Sequence, residues 1–191
     1  LNLPMAELGT EGYLLRGVRM QGHRVTLIAA NSDVGLLYGA FAWLRLARTG
    51  ADLATLTTQS TPKVKLRMLN HWDNLDRTVE RGYAGESIWD WWSLPDIRDP
   101  RYVDYARANA SLGINGTVLT NVNSKAEVLT PAWIAKTAAV ADILRPYGIK
   151  VYLTARFSAP LELKEVATAD PLDPAVAAWW KSKANEIYKA I

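Results

Sequence analysis

The stretch Val64-Lys65-Leu66-Arg67-Met68-Leu69-Asn70-His71-Trp72-Asp73-Asn74-Leu75-Asp76 changes character half-way along. Val64, Leu66, Met68 and Leu69 are apolar among Lys63, Lys65 and Arg67, and the run then breaks into polar and aromatic residues. That pattern reads as a β-strand over 64–70 opening into a loop. Between Arg67 and Trp92 lie four of the eight tryptophans, one of the two histidines and a dense mix of Asp, Asn, Glu and Arg. Indole takes the CH face of a sugar ring, while carboxylates, amides and guanidinium groups fix its hydroxyls. The residues alone leave a second reading open, a buried aromatic hinge between two domains whose polar groups cap one another.

Downstream the pattern alternates. A helix is expected from Asp99-Pro100 to Gly113. The strand 114–119 then opens onto Thr120-Asn121-Val122-Asn123-Ser124. Thr130-Pro131 starts a helix with Pro at its first position, ending near Arg145. A strand over 149–154, a loop over 155–172 and a final helix from Asp173-Pro174 follow. Three successive β-then-α units predict a parallel sheet. For three units alone, an open doubly wound sheet is the default.

Upstream, residues 12–30 read as a hairpin turning at Gln21-Gly22-His23, with His23 a solvated surface residue. Asn31-Ser32-Asp33 supplies an N-cap for a helix over 34–48 whose apolar face is Leu37, Phe41, Leu44 and Leu46. Gly50 stands at the left-handed C-cap position. Gly35 and Gly39, four apart, suit close packing of that helix on the hairpin. Residues 51–62 are polar, threonine-rich and end in Pro62, so the domain boundary is read there: 1–62, an α/β layer with its linker, and 63–191.

The composition, 49% hydrophobic and 21% charged over 191 residues, is that of globular material with one substantial core or two small ones. A formal charge of +3 with scattered Lys and Arg predicts no nucleic-acid partner. With no cysteine there is no disulfide or thiol chemistry, and two histidines make a metal site an unfavourable reading. No apolar run approaches the roughly 18 residues that would cross a bilayer, so no membrane partner is expected. No signal peptide is visible. Leu1 in place of an initiator Met reads as a processed or truncated start, and cytoplasmic and secreted locations both stay open.

The longer strings carry a resemblance. Asn70-His71-Trp72-Asp73-Asn74-Leu75-Asp76, Glu80-Arg81-Gly82-Tyr83-Ala84-Gly85 and Ser87-Ile88-Trp89-Asp90 closely resemble the α-glucuronidases of glycoside hydrolase family 67. The likeness continues through residues 105–116, Asn121-Val122-Asn123, residues 147–152 and 168–174, Trp179-Trp180 and Ile187-Tyr188. It implies a small accessory α/β domain, recognisable in Ser32–Gly39, followed by the first three βα units of a (β/α)8 TIM barrel left incomplete in this chain. It also implies hydrolysis of the α-1,2 link of glucuronic or 4-O-methylglucuronic acid to xylo-oligosaccharides, with inversion and without a cofactor. A homodimer of the full-length enzyme is compatible with it.

Glycoside hydrolysis needs two carboxyl groups across the scissile bond. The local candidates are Asp73, Asp76, Glu80, Glu86 and Asp90, with Asp73 the first choice because it follows a strand. The resemblance instead implies that no catalytic residue lies in this chain and that the acid and base are expected beyond Ile191. This portion is then one wall of the sugar pocket. Trp72 matches the family tryptophan that sheathes the uronic acid ring and its 4-O-methyl group, and Val122 matches its apolar companion. An apolar slot accepts a methyl ether without leaving a donor unpaired. Asn70, Asn121 and Asn123, at strand ends, are further candidates for substrate binding. His71 either orients a sugar hydroxyl or satisfies a neighbouring carboxylate. Glu80 and Arg81 are read as an ion pair holding the loop. Trp89, Trp91 and Trp92 are read as packing anchors, and of the adjacent Trp179 and Trp180 one is expected in the core. Glu86 stands where a basic residue is expected, and Arg156 is a candidate partner for an acidic sugar. The other class that fits is a non-catalytic carbohydrate-binding or structural segment.

Overall fold

The computed structural model describes residues 3–191, so the start read at Leu1 lies outside the described residues. The chain divides into two compact units, residues 1–67 with 107–115, and residues 68–106 with 116–191.

In the first unit, β1 (Tyr13–Met20) and β2 (His23–Ala30) form the expected antiparallel hairpin, with Met20 opposite His23. Gln21 and Gly22 close it, both at positive φ (49° and 82°). A two-residue loop with both residues left-handed matches the twist of the flanking strands. His23 is exposed, as expected. Helix α1 (Asp33–Arg48) starts at Ser32, whose side chain accepts from the Gly35 amide at 3.1 Å. It stops in a Schellman turn: Gly50, at φ 77°, donates to Ala47, and Ala51 donates to Leu46 at 3.0 Å.

The buried face of α1 differs from the one read in the sequence. Gly35, Tyr38, Gly39 and Ala42 are buried, while Leu44 is exposed. The hairpin demands close approach, and small residues permit it. A Cβ on Gly35 would stand 2.6 Å from the Gly12 carbonyl oxygen, and one on Gly39 would stand 2.7 Å from Ile28 Cγ2.

The polar run 51–62 is not only a linker. Its Thr57–Ser60 segment is β3, paired antiparallel to β1 with Tyr13 opposite Ser60. Thr and Gln there carry no apolar alternation, but the free edge of β1 supplies main-chain partners whatever the side chains. The strand expected over 64–70 is also shorter. Val64 and Leu66 are exposed, and Arg67 Nη1 bonds the Val64 carbonyl at 2.6 Å. Arg67 further donates to Gly113 O at 2.6 Å and to Glu11 at 2.8 Å, holding the chain in a bend.

The second unit is built on β4 (Met68–Asn70), β5 (Gly116–Val118) and β6 (Lys150–Tyr152), parallel and in sequential order. Helix α2 (Arg101–Ser111) joins β4 to β5, and α3 (Pro131–Leu144), with Pro at its first position, joins β5 to β6. The loop expected after β6 contains one short helix, α4 (Ala159–Glu162). Asp173 caps α5 (Pro174–Ala190) by accepting from the Ala175 amide at 2.8 Å. The alternation of sequence elements is thus a parallel β-α-β-α-β-α succession. One core cluster gathers Trp89, Trp91, Tyr102, Leu119, Val140 and Leu144; a second gathers Leu75, Val128, Leu129, Ala159 and Trp179. Trp180 meets Trp179 edge-on at 4.7 Å. Among the described residues no helix is long and apolar enough to cross a membrane.

Candidate functional site

Parallel strands send their C-terminal ends to one edge of the sheet, so the segments after β4, β5 and β6 emerge together. The first of them carries Trp72 with its two neighbours turned inward. His71 Nε2 shares a hydrogen bond with the Tyr105 hydroxyl (2.8 Å), which in turn meets Thr117 Oγ1 at 2.9 Å. His71 Nδ1 lies 3.6 Å from Asp73 Oδ1. Asp73 is only 3% exposed and accepts the Ser87 hydroxyl at 2.5 Å, while Ser87 Oγ accepts from the Trp89 amide at 3.0 Å. The His71 ring also packs on Trp89 and Tyr105, with centroids 5.6 and 5.5 Å away. With 71 and 73 anchored inside, extended backbone turns residue 72 the other way. Trp72 is 44% exposed.

Val122, in the loop after β5, is 50% exposed. Asn70 and Asn123 are exposed, whereas Asn121 is buried with its amide engaged by Trp72 and Asn123 main-chain groups. Arg156 donates to the Asn123 carbonyl and lies 3.6 Å from Glu162. Glu86 has a cation of its own, Arg77 at 3.7 Å, and Arg77 also faces Asp90 at 3.5 Å. Of the seven predicted residues, Asn70, Trp72, Val122 and Asn123 therefore present side chains outward. His71, Asn121 and Arg156 are committed to partners within the chain. For His71, the carboxylate reading describes its contacts, with a tyrosine added.

The Glu80–Arg81 pair exists at 3.8 Å, but Arg81 is almost fully exposed and such a pair contributes little. Bonds to main-chain carbonyls hold the loop instead: the Glu80 amide donates to Trp72 O and the Asn74 side-chain Nδ2 donates to Glu80 O, both at 2.8 Å. Arg77 and Glu80 sit at φ 70° and 58°, a conformation that costs a side-chain-bearing residue free energy. Trp89 and Trp91 are fully buried anchors, but Trp92 is not. It is 71% exposed, with the Arg77 guanidinium 5.3 Å over its ring. Trp89 and Trp91 take the core, and Trp92, directly beside Trp91, has no inner face left.

Three contributors escaped the sequence reading: Ser87, Tyr105 and Thr117. Ser87 and Tyr105 open two of the family strings, but nothing in those strings points to Asp73 or His71, 14 and 34 residues away; Thr117 lies outside them. Burial pushes the Tyr105 hydroxyl up and keeps it neutral, with one proton shared between two neighbours. Hydroxyl and amide hydrogen bonds from Thr78 hold the Asp76 carboxyl below its usual range, and Ser93 does the same for Asp90. Among the described residues no group of His, Asp and Glu side chains could hold a metal ion. An apolar groove of about 600 Å³ runs along β6, lined by Leu129, Ile149, Val151, Leu153 and Ile187 among others. None of the seven candidate residues lines it.

Comparison with known proteins agrees with this architecture. Residues 46–191 match the family model described as the glycosyl hydrolase family 67 middle domain, and residues 1–43 match the family 67 N-terminus. The class is therefore that of the glycosyl hydrolases. This chain belongs to glycosyl hydrolase family 67. It is 37% identical over 187 residues to a probable alpha-glucuronidase A of Aspergillus terreus, covering 97% of this chain and 21% of that protein. A probable alpha-glucuronidase A of Aspergillus fumigatus is 38% identical over 187 residues, with the same coverage. The alpha-glucuronidase A of Aspergillus tubingensis is 35% identical over 190 residues, 98% of this chain and 22% of that protein. The chain thus spans about one fifth of the length of the curated relatives it matches.

Proposed function

We propose that this chain forms one wall of the sugar pocket of a longer α-glucuronidase, which removes glucuronic or 4-O-methylglucuronic acid from substituted xylo-oligosaccharides. The observation that carries the reading is the outward presentation of Trp72 between two inward-anchored neighbours. Residues 63–191 supply the first three βα units of a (β/α)8 barrel, and residues 1–62 an accessory layer. Trp72 stacks on the uronic acid ring and Val122 takes the methyl ether, with the Asn70 and Asn123 amides within reach of hydroxyls. His71, Asn121 and Arg156 support these contacts from behind.

The reaction is a single displacement with inversion: an acid protonates the glycosidic oxygen while a carboxylate activates water on the opposite face of the ring. Asp73, buried and hydrogen-bonded, takes neither part. Both groups come from the polypeptide beyond Ile191, and no cofactor enters. The 191-residue chain by itself releases no uronic acid from aldouronic acids, whereas the complete polypeptide does; release by the isolated chain would refute this assignment. In the complete polypeptide Trp72→Ala raises KM about tenfold, the order expected for one lost aromatic contact. An unchanged KM would remove Trp72 from the pocket and leave the alternative of a structural segment.

A further inference from the structure

We infer that Asn121 is a positioning residue that sets the spacing between Trp72 and Val122, and through it the enzyme's preference between methylated and plain glucuronic acid. The inference rests on the sugar-pocket reading above. Asn121 is only 4% exposed, and every polar group it owns is used inside the chain. Its backbone N–H donates to Asp73 O at 2.7 Å and its Nδ2 to Trp72 O at 3.5 Å, so backbone and side chain both grip the loop after β4. Its Oδ1 accepts from the Asn123 amide at 2.9 Å, an Asx turn that fixes the main chain on either side of Val122. Its carbonyl accepts from the Ser124 amide at 2.9 Å and from Thr154 Oγ1 at 2.7 Å, adding the loop after β6.

One buried side chain therefore joins the carbonyl of Trp72 to the peptide that follows Val122. The long Nδ2 contact is the weakest member of the set, but it is backed by the short main-chain bond to Asp73. Buried amide networks tolerate little change in geometry, because an unpaired member is costly. At 4% exposure Asn121 is screened from a sugar hydroxyl. Its influence on substrate is through distance, and an apolar slot discriminates a methyl group by fit.

The test is made on the complete polypeptide, with aldouronic acids carrying 4-O-methylglucuronic or plain glucuronic acid. Asn121→Asp keeps the Oδ1 acceptor for Asn123 but sets a carboxylate oxygen against the Trp72 carbonyl. It is expected to raise KM and to shift the ratio of kcat/KM for the two substrates about fivefold, while kcat changes by less than about twofold. Loss of folded protein would lower the apparent kcat for both substrates alike, leaving KM and the ratio in place. Thr154→Val therefore accompanies it: this variant removes the hydroxyl from the Asn121 carbonyl at nearly constant volume and should move the ratio the same way by a smaller factor. Unchanged KM and ratio in both variants, beside a raised KM in Trp72→Ala, overturns the role of Asn121 and keeps the pocket. An unchanged KM in Trp72→Ala removes the pocket and this inference together.

Discussion

At the scale of single residues, the loop after β4 depends on a buried carboxylate rather than on its surface ion pairs. Asp73 is satisfied by Ser87, and Ser87 in turn receives the Trp89 amide. Ser87→Ala leaves a buried carboxylate oxygen without its donor and should destabilise the fold by about 1–3 kcal/mol. Denaturant unfolding of the chain measures this, and a change under half a kilocalorie would show that water replaces the hydroxyl. Glu86→Ala, by contrast, removes an exposed partner of Arg77 and should be nearly silent in the same assay. The candidate site was legible in the sequence as far as Trp72 and Val122, because motif strings single them out. For His71 the sequence left a sugar hydroxyl and a neighbouring carboxylate both open; its tyrosine partner and the inward commitment of Asn121 were not legible, since Tyr105 and Trp72 O become their neighbours only in the folded chain.

At the scale of elements, two predictions separate backbone contact from side-chain contact. In α1, Gly35→Ala places a methyl 2.6 Å from a main-chain oxygen, and Gly39→Ala places one 2.7 Å from a side-chain methyl. Ile28 can rotate, whereas the Gly12 carbonyl cannot leave without moving the main chain that enters β1. Gly35→Ala should therefore cost about 1–3 kcal/mol, and Gly39→Ala less, because the gain in helix propensity offsets part of the strain. Equal melting temperatures for the two would contradict this packing. The aromatic loop adds a pH dependence. Asp76 and Asp90 are held below their unfolded value of about 3.9, so their contribution is complete above that pH and is lost as pH falls through the depressed values. Near-UV circular dichroism of the loop tryptophans should stay constant from neutrality to about pH 4 and decay below it, and Asp90→Asn should blunt the decay. A transition centred near neutrality would point to a different group.

At the scale of the whole molecule, each unit has its own central strand. β1 is paired on both sides, by β2 and β3, and β5 by β4 and β6. Hydrogen exchange should accordingly show two separate centres of protection, at β1 and at β5, with faster exchange in β3 and β6 at the edges. Uniform protection across β4, β5 and β6 would mean that β6 has a partner in solution. Apart from α4, which lies inside the segment read as a loop, the order of elements in the second unit was legible, because helix and strand periods alternate and Pro stands at or just before the start of α2, α3 and α5. β3 was not legible. Thr57–Ser60 carries no apolar pattern, and what makes it a strand is the open edge of β1, more than forty residues earlier.

Local chemistry is what the sequence by itself determined: the hairpin turn at Gln21-Gly22, the Ser32 and Asp173 caps, the Pro131 start, the parallel succession and membership of family 67. These depend on dihedral preference, on hydrogen bonds between residues a few positions apart, and on strings long enough to mark a family. Only the tertiary structure decided which face of α1 is buried, that Trp89 and Trp91 are inside and Trp92 outside, and that Asn121 faces Trp72 rather than solvent. Those outcomes depend on which distant backbone arrives at a given place, and close packing admits the residue whose size and polarity match what arrives.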